Sequence, residues 1–163
     1  KLWDLAKDFG GNLSDFSVWM LERSMKTLAI RVKAQQKNAK KLARFLESHS
    51  AIEKVYYPGL KSHPDHNLAK TQMKGFGAMI SFELKKKYDA MKFLNALKLI
   101  KHSGSLAGVE STMILPSKSS HCLLSEKDRL SQGISDKLIR FSVGIETKKD
   151  LILDIEQSLN IIS

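Results

Sequence analysis

An arginine inside an apolar segment is the side chain whose chemistry this sequence indicates best. Residues 138–143 read LIRFSV, and the alternation of a β-strand puts Arg140 on the face opposite its immediate apolar neighbours. Burying a guanidinium without an anion is costly, so Arg140 requires a negatively charged partner. One interpretation is an internal ion pair with Glu110 or Glu146, and the other is a bidentate clamp on a ligand carboxylate.

A run of small residues at 102–108 (HSGSLAG) is a second candidate for ligand contact. Small side chains let backbone N–H groups approach an anion closely. The run has neither the spacing of a phosphate-binding P-loop nor that of a dinucleotide-binding fingerprint. The pattern alone therefore favours an ordinary turn, with anion binding as the alternative.

Histidine and cysteine occur in two places where metal binding has to be considered. His63 and His66 flank a Pro-Asp turn, and His121 precedes Cys122, but neither pair has a second pair at metal-ligand spacing. We therefore expect no metal site. Cys122 lacks a neighbouring basic cluster of the kind that activates a thiol, so it is predicted to be a small buried residue.

The composition restricts the class of protein. A chain of 163 residues with a single cysteine and no long apolar run predicts one ordinary core, no internal disulfide and no membrane-spanning segment. The first ten residues lack the apolar stretch of a secretory signal, so we expect a cytoplasmic protein. The formal charge of +10 raises the question of nucleic acid, but the lysines are scattered and no aromatic ladder accompanies them. We expect neither a nucleic-acid nor a membrane partner.

A long helix is predicted to begin at residues 12–15 and to run to about residue 48. Residues 12–15 (NLSD) offer a cap and an acidic first turn, and apolar residues at 39, 42, 43 and 46 recur at helical spacing. So long a helix is better suited to joining two bodies than to packing inside one small domain. We therefore assign residues 1–48 to a connector region and residues 49–163 to a separate domain.

Strands and helices alternate through the second of these regions. The pattern predicts strands at 52–57, 77–84, 111–115 and 138–143, and helices at 63–73, 88–97, 125–133 and 147–162. The order indicates an α+β domain whose small sheet is covered by helices on one face.

Five further segments are distinctive: RSMKTL at 23–28, VYYPGLKSHP at 55–64, GFGAMISF at 75–82, SLAGVES at 105–111 and GISDKLIRFSVGIE at 133–146. These segments resemble the transsulfuration family of pyridoxal-phosphate (PLP) enzymes, which comprises cystathionine γ-synthases, cystathionine β- and γ-lyases, and methionine γ-lyases. They cover nearly the whole chain in the family's order. The resemblance implies the C-terminal domain of an aspartate-aminotransferase-type enzyme, PLP fold type I, with the long first helix as the connector from a PLP-binding domain.

The resemblance implies substrate-binding roles for five residues. Arg140 stands at the position that grips the substrate α-carboxylate, and Ser105 and Leu106 belong to the loop beside that carboxylate. Ser120 occupies a position usually held by threonine at the same pocket. Gly104 stands where many γ-synthases and γ-lyases carry a glutamate that helps meet the distal end of the substrate.

The resemblance also implies what this sequence lacks. The family's Schiff-base lysine sits in a Ser-x-Thr-Lys motif, and no lysine here has that context. Pyridoxal 5′-phosphate is therefore expected as the cofactor of a longer enzyme, bound by residues outside this chain. No catalytic residue is assigned here, and the chain is expected to be inactive alone.

The reaction of the longer enzyme stays open between cystathionine γ-synthase, β-lyase and γ-lyase, because Gly104 departs from the usual pattern. The implied partners are a sulfur-containing amino-acid substrate and further copies of the full-length chain, arranged as a dimer of dimers. The alternative is a free-standing, non-enzymatic module of the same fold that binds anionic ligands.

Overall fold

Three helices of increasing length begin the chain, where the sequence predicted a single one. The computed structural model describes residues 2–162, and in it α1 spans Leu2–Phe9, α2 spans Asp15–Met25 and α3 spans Leu28–Ser48. The predicted end at Ser48 is confirmed. The prediction missed α1 and the turn that separates α2 from α3.

Side chains explain the turn between α2 and α3. The carbonyl of Ser24 accepts hydrogen bonds from the hydroxyl of Thr27 at 3.4 Å and from the guanidinium of Arg31 at 2.6 Å. Local side-chain bonds to the backbone compete with the helical hydrogen-bond ladder. The ladder is consequently interrupted at residues 26–27, a feature that apolar periodicity does not reveal.

Helix α2 begins at the predicted cap and buries none of its residues. The hydroxyl of Ser14 accepts the N–H of Ser17 at 3.3 Å, as expected of a residue that caps a helix. Phe16 is 69% exposed and Trp19 is 53% exposed. Contacts divide the chain into two compact units, Lys1–Arg31 and Val32–Ser163.

The second unit is built on a five-stranded mixed sheet. Its strands are β1 (Ile52–Tyr56), β2 (Met79–Leu84), β3 (Lys101–His102), β4 (Thr112–Ile114) and β5 (Leu138–Ser142), in the spatial order β1-β2-β5-β4-β3. Neighbours are antiparallel except β3 and β4, which are parallel. The four predicted strands are confirmed. The prediction missed β3, whose two residues are too few to show alternation.

Four helices follow α3 in the second unit: α4 (His66–Gln72), α5 (Ala90–Ala96), α6 (Glu126–Ser131) and α7 (Lys148–Ile162). Ser125 caps α6, since its hydroxyl accepts the N–H of Asp128 at 3.2 Å. Helix α4 begins at His66, three residues after the predicted start at 63. There the ring of His63 accepts the N–H of Asp65 at 3.1 Å, which makes a turn before the helix.

Helices cover one face of the sheet, and the opposite face carries polar residues such as Arg140 and Ser142 among apolar ones. Side chains of α3, α5 and α7 pack against alternate residues of the strands, and Ile80, Phe82, Ile139 and Phe141 are completely buried. The α+β architecture with helices on one face is therefore confirmed.

A 3-10 turn at Pro116–Lys118, after β4, was not predicted. Within residues 2–162, no helix has both the length and the apolarity required to cross a membrane.

Candidate functional site

Arg140 lies in the middle of β5, on the sheet face that the helices leave uncovered. Its Cα pairs with Ser81 on one side and Ile114 on the other. Nη2 donates to the carbonyl of Gly104 at 2.7 Å. Nε is buried and has no hydrogen-bond partner among the residues that the structure describes. The guanidinium, with five N–H donors, thus keeps donor capacity for a ligand.

The two carboxylates considered as internal partners of Arg140 are engaged elsewhere. Glu146 accepts the N–H of Ser111 at 2.5 Å and its hydroxyl at 2.9 Å. Glu110 lies 4.0 Å from the amine of Lys101, with both side chains largely exposed. Between residues 2 and 162 no ion pair joins Arg140 to a carboxylate. The internal ion pair predicted as one alternative is therefore absent from the described part of the chain.

A loop at residues 104–108 lies beside Arg140, because the Arg140 guanidinium holds its first carbonyl. The next carbonyl, that of Ser105, accepts a hydrogen bond from Thr112 Oγ1 at 2.7 Å. Ser105 is exposed, and Leu106 is 51% exposed. The loop therefore turns these two side chains outward while its backbone is fixed from the sheet.

Two further bonds hold the second half of the loop. The N–H of Ala107 donates to Ser142 Oγ at 2.9 Å, and Gln35 Nε2 donates to the carbonyl of Gly108 at 2.6 Å. Ala107 has a φ of 62°, which lies in the left-handed region that residues other than glycine rarely adopt. Predicting an ordinary turn at 102–108 therefore underestimated how firmly this loop is attached.

Gly104 is not required by the backbone. A Cβ added there would meet only Ile114 Cδ1, at 3.4 Å, and the backbone of Gly104 is not left-handed. Position 104 can therefore carry a side chain. Glycine there removes the contacts that such a side chain would offer to a ligand.

Ser120 lies in the exposed segment that follows β4. Its hydroxyl is 2.8 Å from Nδ1 of the neighbouring His121. None of the hydrogen bonds found in residues 2–162 links Ser120 to Arg140 or to the loop at 104–108. Arg140, Ser105, Leu106 and Gly104 are thus brought together, whereas Ser120 is placed only by following β4, whose Ile114 pairs with Arg140.

The prediction that Cys122 is buried is wrong. Cys122 is exposed, and the next residue, Leu123, is 97% exposed. The reason is that the chain leaves the core after the 3-10 turn, at a position where sequence pattern gives no signal. His63 and His66 instead bond to backbone groups: His63 to the N–H of Asp65 and the ring of His66 to the Pro58 carbonyl at 2.8 Å.

Sequence reasoning missed Thr112 and Ser142 as supports of the loop. One signal was available, since strand alternation places Ser142 on the same face as Arg140. Nothing in the spacing indicates that both hydroxyls bond to the loop, because those contacts depend on the pairing of β4 with β5. The left-handed conformation of Ala107 is likewise a property of the folded loop.

The fold matches the corresponding part of PLP fold type I enzymes. The crystal structure of cystathionine γ-lyase from Lactobacillus plantarum complexed with L-serine matches with a TM-score of 0.90 and 43% identity, over 94% of this chain and 40% of that one. Cystathionine γ-synthase from Xanthomonas oryzae in complex with cystathionine matches with a TM-score of 0.81 and 40% identity, over 85% of this chain and 36% of the other.

The family model for Cys/Met metabolism PLP-dependent enzymes matches residues 1–160, and the chain belongs to this family. Cystathionine γ-lyase of Bacillus subtilis is 47% identical over 150 residues, which are 92% of this chain and 40% of the relative. L-methionine γ-lyase of Fusobacterium nucleatum is 46% identical over 151 residues, 92% of this chain and 38% of the relative. The chain thus spans about two fifths of the length of these relatives.

Proposed function

We propose that this chain supplies the substrate-carboxylate grip of a longer PLP-dependent enzyme that acts on a sulfur-containing amino acid. Arg140 binds the α-carboxylate, and Ser105, Leu106 and Gly104 form the adjoining wall. Ser120 contributes a hydroxyl from the segment after β4. The names of the relatives support a cystathionine or methionine lyase, or a cystathionine γ-synthase. A cytoplasmic location and assembly as a dimer of dimers belong to the same proposal.

The observation that carries the proposal is the unpaired guanidinium of Arg140. Within residues 2–162, its buried Nε has no hydrogen-bond partner, no carboxylate forms an ion pair with it, and its Nη2 donates to the neutral carbonyl of Gly104. A buried donor without a partner costs free energy, more so on a charged group. A carboxylate placed against the guanidinium would satisfy two N–H donors at once and neutralise the charge. Arg129, by contrast, has a carboxylate partner in Asp136. Ligand binding would give Arg140 the anionic partner that it lacks among residues 2–162.

The exposure of the lysines supports a cofactor site that is formed by residues outside this chain. Every lysine between residues 2 and 162 is exposed except Lys137, which is half-buried, with its amine donating to the carbonyl of Tyr88 at 2.5 Å. A lysine that reacts with a carbonyl group is normally activated in a desolvated pocket. We therefore propose that the cofactor-binding residues, including the reactive lysine, lie outside this chain.

The two parts of such an enzyme divide the chemistry. PLP, when bound, supplies the electron sink for the reacting carbon. The residues described here bind and orient the amino acid: Arg140 fixes the carboxylate, and the loop at 104–108 limits the space beside it. Orientation of this kind contributes to rate because the reacting atoms are held in a productive geometry.

The test is Arg140→Lys in the full-length enzyme. Lysine keeps the charge but loses the planar two-pronged fit to a carboxylate. We expect kcat/KM with cystathionine to fall by roughly 30-fold to 1,000-fold, equivalent to about 2–4 kcal/mol of transition-state binding. The midpoint of urea unfolding should change little, because the side chain serves the ligand and not the core.

A matched control is Arg129→Lys. Arg129 pairs with Asp136 at 3.0 Å and its side chain is 13% exposed, so its role in the fold is structural. That variant should lose stability and keep its kcat/KM. An Arg140→Lys enzyme with undiminished kcat/KM, or one whose stability falls as much as that of the Arg129 variant, would contradict the proposal.

A further inference from the structure

Two buried hydroxyl groups lie side by side under the loop that adjoins Arg140. Thr112 on β4 and Ser142 on β5 are direct cross-strand partners, and they are 7% and 1% exposed. Ser142 is two residues beyond Arg140, so both point to the same face of the sheet. A buried hydroxyl group needs a hydrogen-bond partner, and both find theirs in the loop.

The two hydroxyls hold the peptide groups on either side of Leu106. Thr112 Oγ1 donates to the carbonyl of Ser105 at 2.7 Å. The N–H of Ala107 donates to Ser142 Oγ at 2.9 Å. Because the loop is fixed at both points, the segment between them cannot tilt, and Leu106 projects away from the sheet.

Ala107 shows what the Ser142 contact maintains. Its φ of 62° makes it the sole residue other than glycine with a positive φ within the described range 2–162. The left-handed conformation brings the Cβ of an L-residue too close to the following carbonyl. In this conformation the N–H of Ala107 is bonded to Ser142, and without that bond alanine would favour a backbone with negative φ. Glycine at 107 would hold the same conformation without such a bond.

We infer that Thr112 and Ser142 are positioning residues that hold the loop at 104–108 in its substrate-binding conformation, with Ser142 maintaining the left-handed conformation of Ala107. The inference rests on the proposed function of Arg140, because Arg140 reaches the same loop through the Gly104 carbonyl. The Arg140 guanidinium and the two hydroxyls thereby fix the position of the loop's peptide groups relative to the carboxylate site.

The first experiment is a double-mutant cycle between Ser142→Ala and Ala107→Gly in the full-length PLP-loaded enzyme. Ser142→Ala should raise the KM for cystathionine roughly tenfold, the effect of one lost hydrogen bond, with a smaller change in kcat. Ala107→Gly alone provides the second background of the cycle, in which the effect of Ser142→Ala on KM is measured again. In the double variant KM should return to within about threefold of the parent, because glycine needs no bond to hold the conformation.

Controls separate positioning from simple loss of stability. Ser158 is a buried serine on α7 whose hydroxyl donates to the Phe93 carbonyl at 2.5 Å, on the other side of the sheet. Ser158→Ala should lower the unfolding midpoint and leave KM unchanged. At Thr112, the variant Thr112→Val removes the hydroxyl while keeping the shape, and Thr112→Ser keeps the hydroxyl. We expect a raised KM in the valine variant and a normal KM in the serine variant.

A second measurement does not depend on turnover or on Arg140. Hydrogen–deuterium exchange of the Ala107 amide should be slow in the parent and about tenfold faster in Ser142→Ala, because its acceptor is gone. Unchanged exchange, or a raised KM that Ala107→Gly fails to lower, would overturn the inference. If Arg140→Lys leaves kcat/KM intact while the exchange result holds, the proposed function fails and the role of Ser142 in the loop stands.

Discussion

Tyr57 carries its hydroxyl group into the interior of the second unit. The residue is 1% exposed, and its hydroxyl donates to the carbonyl of Gly77 at 3.1 Å. Burial raises the pKa of Tyr57 to about 12, from an ordinary value near 10.0. The folded protein therefore holds the phenol proton more tightly than the unfolded chain does. By linkage, this contribution to stability is fully present below pH 10 and is lost as the pH rises toward 12.

Substituting Tyr57 by phenylalanine tests this linkage. At pH 8, Tyr57→Phe should lower the free energy of unfolding by about 1 kcal/mol, because the hydrogen bond to Gly77 is lost. Above pH 10 the parent should lose stability relative to the variant, by roughly 1 kcal/mol per pH unit, so the difference shrinks. Urea unfolding of both proteins at intervals from pH 8 to pH 11 measures it. A difference that stays constant across this range would rule out an ionisation of Tyr57 coupled to folding.

Single residues were predictable from the sequence where strand alternation determines their surroundings. Arg140 is such a case. The two-residue period of a strand places it on the face opposite its apolar neighbours, whichever strands pair with β5. Cys122 was not predictable, because its exposure depends on where the chain leaves the core after a 3-10 turn. The supports of the loop at 104–108 also depend on cross-strand pairing, which a single strand does not encode.

At the scale of elements, α7 is tied to the connection between α5 and β3 by one carboxylate. Asp154 is 6% exposed and accepts three consecutive backbone N–H groups, those of Lys98, Leu99 and Ile100, at 2.8, 3.0 and 2.9 Å. A carboxylate that accepts several backbone N–H groups is well satisfied even when buried. Gln157 on the same helix adds a bond to the Ala96 carbonyl at 2.7 Å.

Replacing Asp154 by alanine should release this connection. We expect Asp154→Ala to lower the free energy of unfolding by about 3 kcal/mol, because three partly buried N–H groups lose their acceptor. Urea unfolding followed by far-UV circular dichroism measures the loss. Glu156→Ala, at an exposed position of α7, is the matched control and should cost less than about 0.5 kcal/mol. Equal effects of the two substitutions would show that the carboxylate is dispensable to the fold.

The longer elements were predicted well and the short ones poorly, for a physical reason. Periodicity needs several residues to show, so β2, β5 and α7 are evident in the sequence, whereas β3 with two residues is not. The break between α2 and α3 arises from side chains that donate hydrogen bonds to the Ser24 carbonyl. The spacing of apolar residues does not reveal such contacts.

At the scale of the whole molecule, the two units differ in how their apolar side chains are used. The second unit encloses a core of completely buried residues. In the first unit, large apolar side chains on α1 and α2 are exposed by half or more, including Leu2, Trp3, Phe16, Trp19 and Leu21. Helices of soluble proteins normally bury such a face. This exposure supports the proposal that the chain acts as part of a longer protein, as does its coverage of 40% of the length of its relatives.

We expect the chain by itself to contain part of an amino-acid carboxylate-binding site but to catalyse no reaction. Mixed with pyridoxal phosphate and cystathionine, the 163-residue chain should release no thiol or keto acid and develop no stoichiometric, site-specific absorbance band. The reason is that its described lysines are exposed, apart from the half-buried Lys137, and so lack the desolvated pocket that activates a reactive amine. The full-length enzyme under identical conditions is the positive control, and scattered adducts on surface lysines would exceed one equivalent without turnover. Turnover together with a one-to-one absorbance band in the isolated chain would mean that a reactive lysine lies within these residues.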